Sequence, residues 1–131
     1  MSSPPTPTAS PTAPPPRLDE TALGRLRELD PDGRQGVMRR VLQAFETSLS
    51  RMLVQLAAER EGGSPAVVSG VAHTLKSSAG SVGALQLAAV CAAVEKRQHG
   101  AGDSRHLRAD VDQLQAEGQA ALQAVRAMLR I

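Results

Sequence analysis

The sequence predicts an all-α protein: an up-down four-helix bundle with an additional short N-terminal helix. Three observations predict it. The chain of 131 residues has one Phe and no Trp or Tyr, so Leu, Val, Ala and Met must fill its core. Strands favour aromatic and β-branched residues, and packed helices do not need them. Apolar residues recur every three or four positions, which is the spacing of one helix face. Short breaks containing Gly or Pro separate the periodic segments.

Pro is unevenly spread. Of nine Pro, seven lie in the first sixteen residues. Residues 1–17 are therefore expected to be a disordered Pro/Ser/Thr-rich tail or linker, because Pro removes backbone donors and the segment has almost nothing to bury. Residues 18–131 are the size of one domain that can bury a core without cross-links.

The elements follow in order. The first helix spans about Asp19 to Leu29, with Asp19 as its cap and Leu23, Leu26 and Leu29 on one edge. Asp30-Pro31-Asp32-Gly33 is a turn, since Pro presets φ and Gly permits a positive φ. The second helix runs from about Gln35 to Arg60, with Val37, Val41, Phe45, Leu49, Met52 and Leu56 forming its stripe; Glu61-Gly62-Gly63 ends it. The third opens on Ser64-Pro65, a cap followed by Pro in the first turn. It continues to about Ala79 or Gly80, and Gly80-Ser81-Val82-Gly83 reads as a tight turn. The fourth helix, about Ala84 to His99, places Leu87, Val90, Cys91 and Val94 on one face. Gly100-Ala101-Gly102 breaks the chain again. The fifth, about Ser104 to Leu129, carries Leu107, Val111, Leu114, Leu122, Val125 and Met128.

Composition excludes several functions. The formal net charge is +2, and the basic residues are interleaved with acids. No basic stripe carries the aromatic platforms used to stack single strands, so no nucleic-acid partner is expected. One Cys rules out a disulfide framework and a Cys-based zinc cluster. Cys91 reads as a small core filler. His99 and His106 read as surface residues, and no metal site is expected. No apolar run approaches the roughly 20 residues of a membrane span, and no signal-peptide core is visible. No membrane association is expected, and the expected location is cytoplasmic. P-loop, nucleophile-elbow, H-E-x-x-H and kinase ATP-binding patterns are absent, so no independent kinase or hydrolase activity is expected.

The third helix is unusual on its polar face. At about 100° per residue, Val68, Val71, Leu75 and Ala79 lie roughly opposite His73 and form the core stripe. The neighbours of His73 on its own face are Ala66, Ser69, Gly70, Lys76, Ser77 and Gly80. All are small except Lys76. Gly inside a helix costs about 0.5–1 kcal/mol relative to Ala, so stability does not explain this choice. Small neighbours let another protein approach closely and leave the ring nitrogens reachable. A neutral imidazole carries a nucleophilic lone pair, and a Lys one turn away can pair with an anionic group attached to it.

The run from Ala72 to Ala84 reads Ala-His-Thr-Leu-Lys-Ser-Ser-Ala-Gly-Ser-Val-Gly-Ala. It resembles the signature of histidine phosphotransfer (HPt) domains of two-component phosphorelays. The likeness continues through Leu87, Cys91 and Glu95 and includes Phe45 upstream. The family often has Gly directly after the Lys; Ser77 stands there in this chain and stays small. The resemblance implies that His73 accepts a phosphoryl group from the aspartate of a receiver domain and passes it to another receiver. It implies that Lys76 stabilises the phosphoryl oxygens. Ser69, Gly70, Ser77 and Gly80 would form a low docking face. The partners would be receiver domains of response regulators or a hybrid histidine kinase. No cofactor is expected on this chain, and Mg²⁺ would sit on the receiver.

Glu95 has two readings. If the third and fourth helices run antiparallel, Glu95 lies near the level of His73 and can hold one ring nitrogen while leaving the other to react. Alternatively it is a surface acid paired with Arg97 or solvent. The alternative to phosphotransfer as a whole is a helical adaptor or kinase regulator that docks without carrying phosphate.

Overall fold

The computed structural model describes residues 18–100 and 102–130. The expected tail, residues 1–17, lies outside them. Among the described residues there are α-helices and one short 3₁₀ helix, and no strand. The helices are α1 (Glu20–Glu28), α2 (Val37–Ala58), α3 (Pro65–Ser81), α4 (Leu85–Gln98) and α5 (Leu107–Leu129). The 3₁₀ helix, Ser104–His106, precedes α5.

Each boundary has a local cause. The Asp19 carboxylate accepts from the Ala22 N–H at 3.1 Å and caps α1. The Ser64 hydroxyl accepts from the Val67 N–H at 3.3 Å, and Pro65 fills the first helical position. The second helix starts at Val37 rather than Gln35, because the Asp30 carboxylate accepts from the N–H groups of Gln35 (3.1 Å) and Val37 (3.2 Å). Those bonds hold the preceding segment as a loop and supply the cap that Gly36 lacks. Burial raises the Asp30 pKa, but the backbone donors of Gln35, Val37 and Gly36 outweigh it and hold the group below its ordinary value.

The expected turn at 80–83 is shorter than the sequence suggested. Gly80 and Ser81 belong to α3, and Val82 is its C-cap. Gly83, at φ 82°, takes the left-handed conformation that closes the helix. The Ala84 N–H bonds the Ala79 carbonyl at 2.8 Å, and the Gly83 N–H bonds the Gly80 carbonyl at 3.2 Å. The Gly83 carbonyl in turn accepts from the Asp19 N–H at 2.8 Å, which ties the start of α1 to the turn between α3 and α4.

Packing is by apolar stripes. Helix α2 packs on α3 and α5, α4 packs on α3 and α5, and α1 packs on α2. Leu49, Leu56, Val68, Leu75, Leu114 and Val125 are completely buried at the centre. Phe45, the single aromatic, is buried with them. A Cβ on Gly118 would lie 2.5 Å from Leu53 Cδ2, so the missing side chain is what lets α2 and α5 approach there. No helix among the described residues is long and apolar enough to cross a membrane.

One polar cluster is buried beside this core. The Asp110 carboxylate accepts from Arg97 Nη2 at 2.6 Å and from Gln98 Nε2 at 2.8 Å. The Gln98 side chain also donates to the Asp103 carbonyl (2.9 Å) and accepts from its N–H (2.8 Å). These bonds fix the connection between α4 and α5 and satisfy groups that would otherwise be costly to bury.

Candidate functional site

Helix α3 presents His73 to solvent, with its side chain 70% exposed, opposite the buried Val68, Leu75 and Ala79. Helix α4 runs back from the turn at Gly83 and brings Glu95 alongside. Glu95 Oε2 lies 2.6 Å from His73 Nδ1, and its Oε1 accepts from Lys76 Nζ at 2.7 Å. One carboxylate, only 22% exposed, therefore holds both residues that the signature singles out.

The protonation states follow from the partners. The hydrogen bond from Lys76, then that from His73, holds the Glu95 carboxyl below its ordinary value against the opposing effect of burial. An ionised carboxylate only accepts, so the proton in its bond to the ring sits on Nδ1. In the neutral ring Nε2 then carries the lone pair. Ion pairs exposed on one side are weak, so the Lys76–Glu95 pair can reopen when a stronger anion arrives.

Of the two readings of Glu95, the geometry matches the one beside His73. Arg97 is turned away and bound to Asp110. A signal for that second pair was in the sequence: Asp110 falls on the apolar stripe between Leu107 and Val111, and a buried carboxylate requires a cation or donors.

The small residues divide. Gly70 and Ser77 are exposed beside His73, and a Cβ on Gly70 or Gly80 would meet nothing within 4 Å. Ser69 departs from the expected face. It was expected on the docking face, but it is buried, with its hydroxyl 3.5 Å from the Glu95 carbonyl. The helical wheel placed it correctly next to His73, and α4 packs over that flank. Its small side chain spaces α3 from α4 instead.

The remaining candidates sit apart from this constellation. Cys91 is buried, and burial pushes its thiol up to about 12; the Glu95 charge adds to the rise, and Lys76 opposes it. His106 Nδ1 lies 2.6 Å from Asp103 Oδ2 on the surface, and His99 is exposed. Among the described residues no group of three or more His, Cys, Asp or Glu is arranged to hold a metal ion.

The site is thus a solvent-facing histidine on a helical domain, held by a carboxylate and flanked by a lysine. The Hpt domain family matches residues 40–128, and the chain belongs to that family. The fold is similar to the crystal structure of histidine-containing phosphotransfer protein B from Pseudomonas aeruginosa PAO1. The TM-score is 0.74 at 23% identity, over 88% of this chain and 96% of that one. No curated protein matches the chain by sequence.

Proposed function

We propose that this chain is a phosphorelay intermediate that takes a phosphoryl group from a receiver aspartate onto His73 and delivers it to the aspartate of another receiver. The observation that carries this reading is the single Glu95 carboxylate bound to both His73 Nδ1 and Lys76 Nζ. Nε2 attacks phosphorus, the N–P bond forms, and the P–O bond to the receiver aspartate breaks with its electron pair leaving on the carboxylate. The proton on Nδ1 stays in its bond to Glu95, which balances the positive charge that the ring gains. Lys76 exchanges Glu95 for the phosphoryl oxygens.

The division of labour suits phosphoryl transfer, whose loose transition state leaves positioning and charge compensation as the main work. This chain supplies an aimed nitrogen and one cation. The receiver supplies its acidic pocket and Mg²⁺, and this chain needs no cofactor of its own. Gly70, Ser77 and Gly80 keep the surface low enough for the receiver to dock. The partners are receiver domains of response regulators or of a hybrid kinase, met in the cytoplasm. The four long helices are read as an up-down bundle.

The test is phosphate uptake. After incubation with a phosphorylated receiver, the wild type should carry acid-labile, base-stable phosphate, and His73→Gln should carry none. Equal uptake by both proteins contradicts His73 as the acceptor; no uptake by wild type contradicts the proposal and favours an adaptor that docks without carrying phosphate.

A further inference from the structure

Between Glu61 and Glu95 the sequence has one formally charged side chain, Lys76, in a chain of which 21% is charged. That stretch builds all of α3 and α4 up to the site. Burial does not explain the gap. Gly70, Ser77 and Ser81 of α3 and Leu85, Ala89 and Ala92 of α4 are exposed. A solvated helix face ordinarily carries charged residues. Depletion of charge is instead the compositional mark of a surface whose centre loses water on association.

Leu85 is the large apolar side chain on this surface, 52% exposed in the first turn of α4. A lone exposed Leu needs no explanation, and two other large hydrophobics are exposed elsewhere, Leu29 and Val54. Position distinguishes Leu85. Leu85, Ala88, Ala92 and Glu95 recur at helical spacing and share one edge of α4, the edge from which Glu95 reaches His73. At 1.5 Å per residue, Leu85 lies about 15 Å along α4 from Glu95. A standard interface covers about 800 Å² per partner, a disc of about 16 Å radius. A partner centred over the α3–α4 surface that brings an aspartyl phosphate to His73 therefore also covers Leu85.

We infer that Leu85 is the apolar anchor of the receiver-docking surface and a specificity-determining residue: it selects receivers that carry an uncharged apolar patch beside the phosphorylated aspartate. This rests on the phosphotransfer reading, so the test separates the two. Full-length protein is loaded either by phosphoramidate, which needs no docking, or by a receiver domain charged with acetyl phosphate. The receiver used is the one that loads wild type fastest. Leu85→Glu should raise the KM for the receiver about tenfold or more with little change in kcat, while the phosphoramidate rate moves less than about twofold. Leu85→Ala, which leaves the helix intact, should raise that KM about fivefold. Val54→Glu, in the groove between α2 and α5, should change neither rate. An unchanged receiver KM in both Leu85 variants overturns the anchor role alone. So does a loss shared equally by both donors in both variants. Failure of both donors to load wild type overturns the phosphotransfer reading itself.

Discussion

In the proposed transfer three side chains, His73, Lys76 and Glu95, carry the chemistry, and each has a separable role. Lys76→Ala removes a charge-assisted contact with the transferring group, worth about 1.5–3 kcal/mol. Transfer from the receiver should slow about 10- to 100-fold, measured by single-turnover kinetics; an unchanged rate would mean that Lys76 takes no part in transfer. Glu95 is tested by titration. Its carboxyl is held below the ordinary value of 4.5, so its contacts with Lys76 and His73 persist above that pH and are lost as pH falls through the lowered value. A ¹³C NMR titration of the Glu95 carboxyl should give a midpoint below 4.5 in wild type, and Lys76→Ala should move it upward; a wild-type midpoint at or above 4.5 contradicts the arrangement. The exposure of His73 was legible in the sequence, because the wheel sets it opposite Val68, Leu75 and Ala79. The buried state of Ser69 was not, because one helix viewed alone does not say which flank its neighbour covers.

Helices α3 and α4 form the working element, and their turn decides how Glu95 meets His73. Two glycines in this element have opposite roles. A Cβ on Gly83 would lie 2.6 Å from the Asp19 backbone nitrogen at a φ of +82°, so Gly83→Ala should destabilise the protein by about 2 kcal/mol or more. Gly80 is inside α3 with open space around it, so Gly80→Ala should stabilise by about 0.5–1 kcal/mol. Urea unfolding of the two variants checks both signs, and equal effects would contradict the geometry of the turn. The sequence showed that a break falls here but put Gly80 in it. Both glycines look alike in the sequence, and only the bond from the Ala84 N–H to the Ala79 carbonyl identifies Gly83 as the residue that closes the helix. Ser64-Pro65 and Asp19, by contrast, were readable as caps because a polar side chain at a helix start has one dominant use.

Beneath α3 and α4 lies an aliphatic core shared by all five helices. Cys91, the chain's only Cys, is fully buried, with its thiol pushed up to about 12. Labelling of native protein by a thiol reagent should therefore be at least about a thousandfold slower than in denaturant, since it must wait for the core to open. A native rate within tenfold of the denatured one would mean that the core beneath the site is loose. The bundle itself was legible from the recurrence of Leu and Val and the lack of aromatics. Of the cluster of Arg97, Gln98 and Asp110, the sequence shows only that Asp110 falls on an apolar stripe; its partners are fixed when α4 and α5 pack.

In the proposed transfer Glu95 engages Nδ1 of His73 and leaves Nε2 to react. The most direct measurement is ¹⁵N and ³¹P NMR of the protein phosphorylated by a receiver, which identifies the nitrogen that bears phosphorus. Phosphate is expected on Nε2 of His73, with Nδ1 still protonated. Phosphate on Nδ1, or on any residue other than His73, would contradict it.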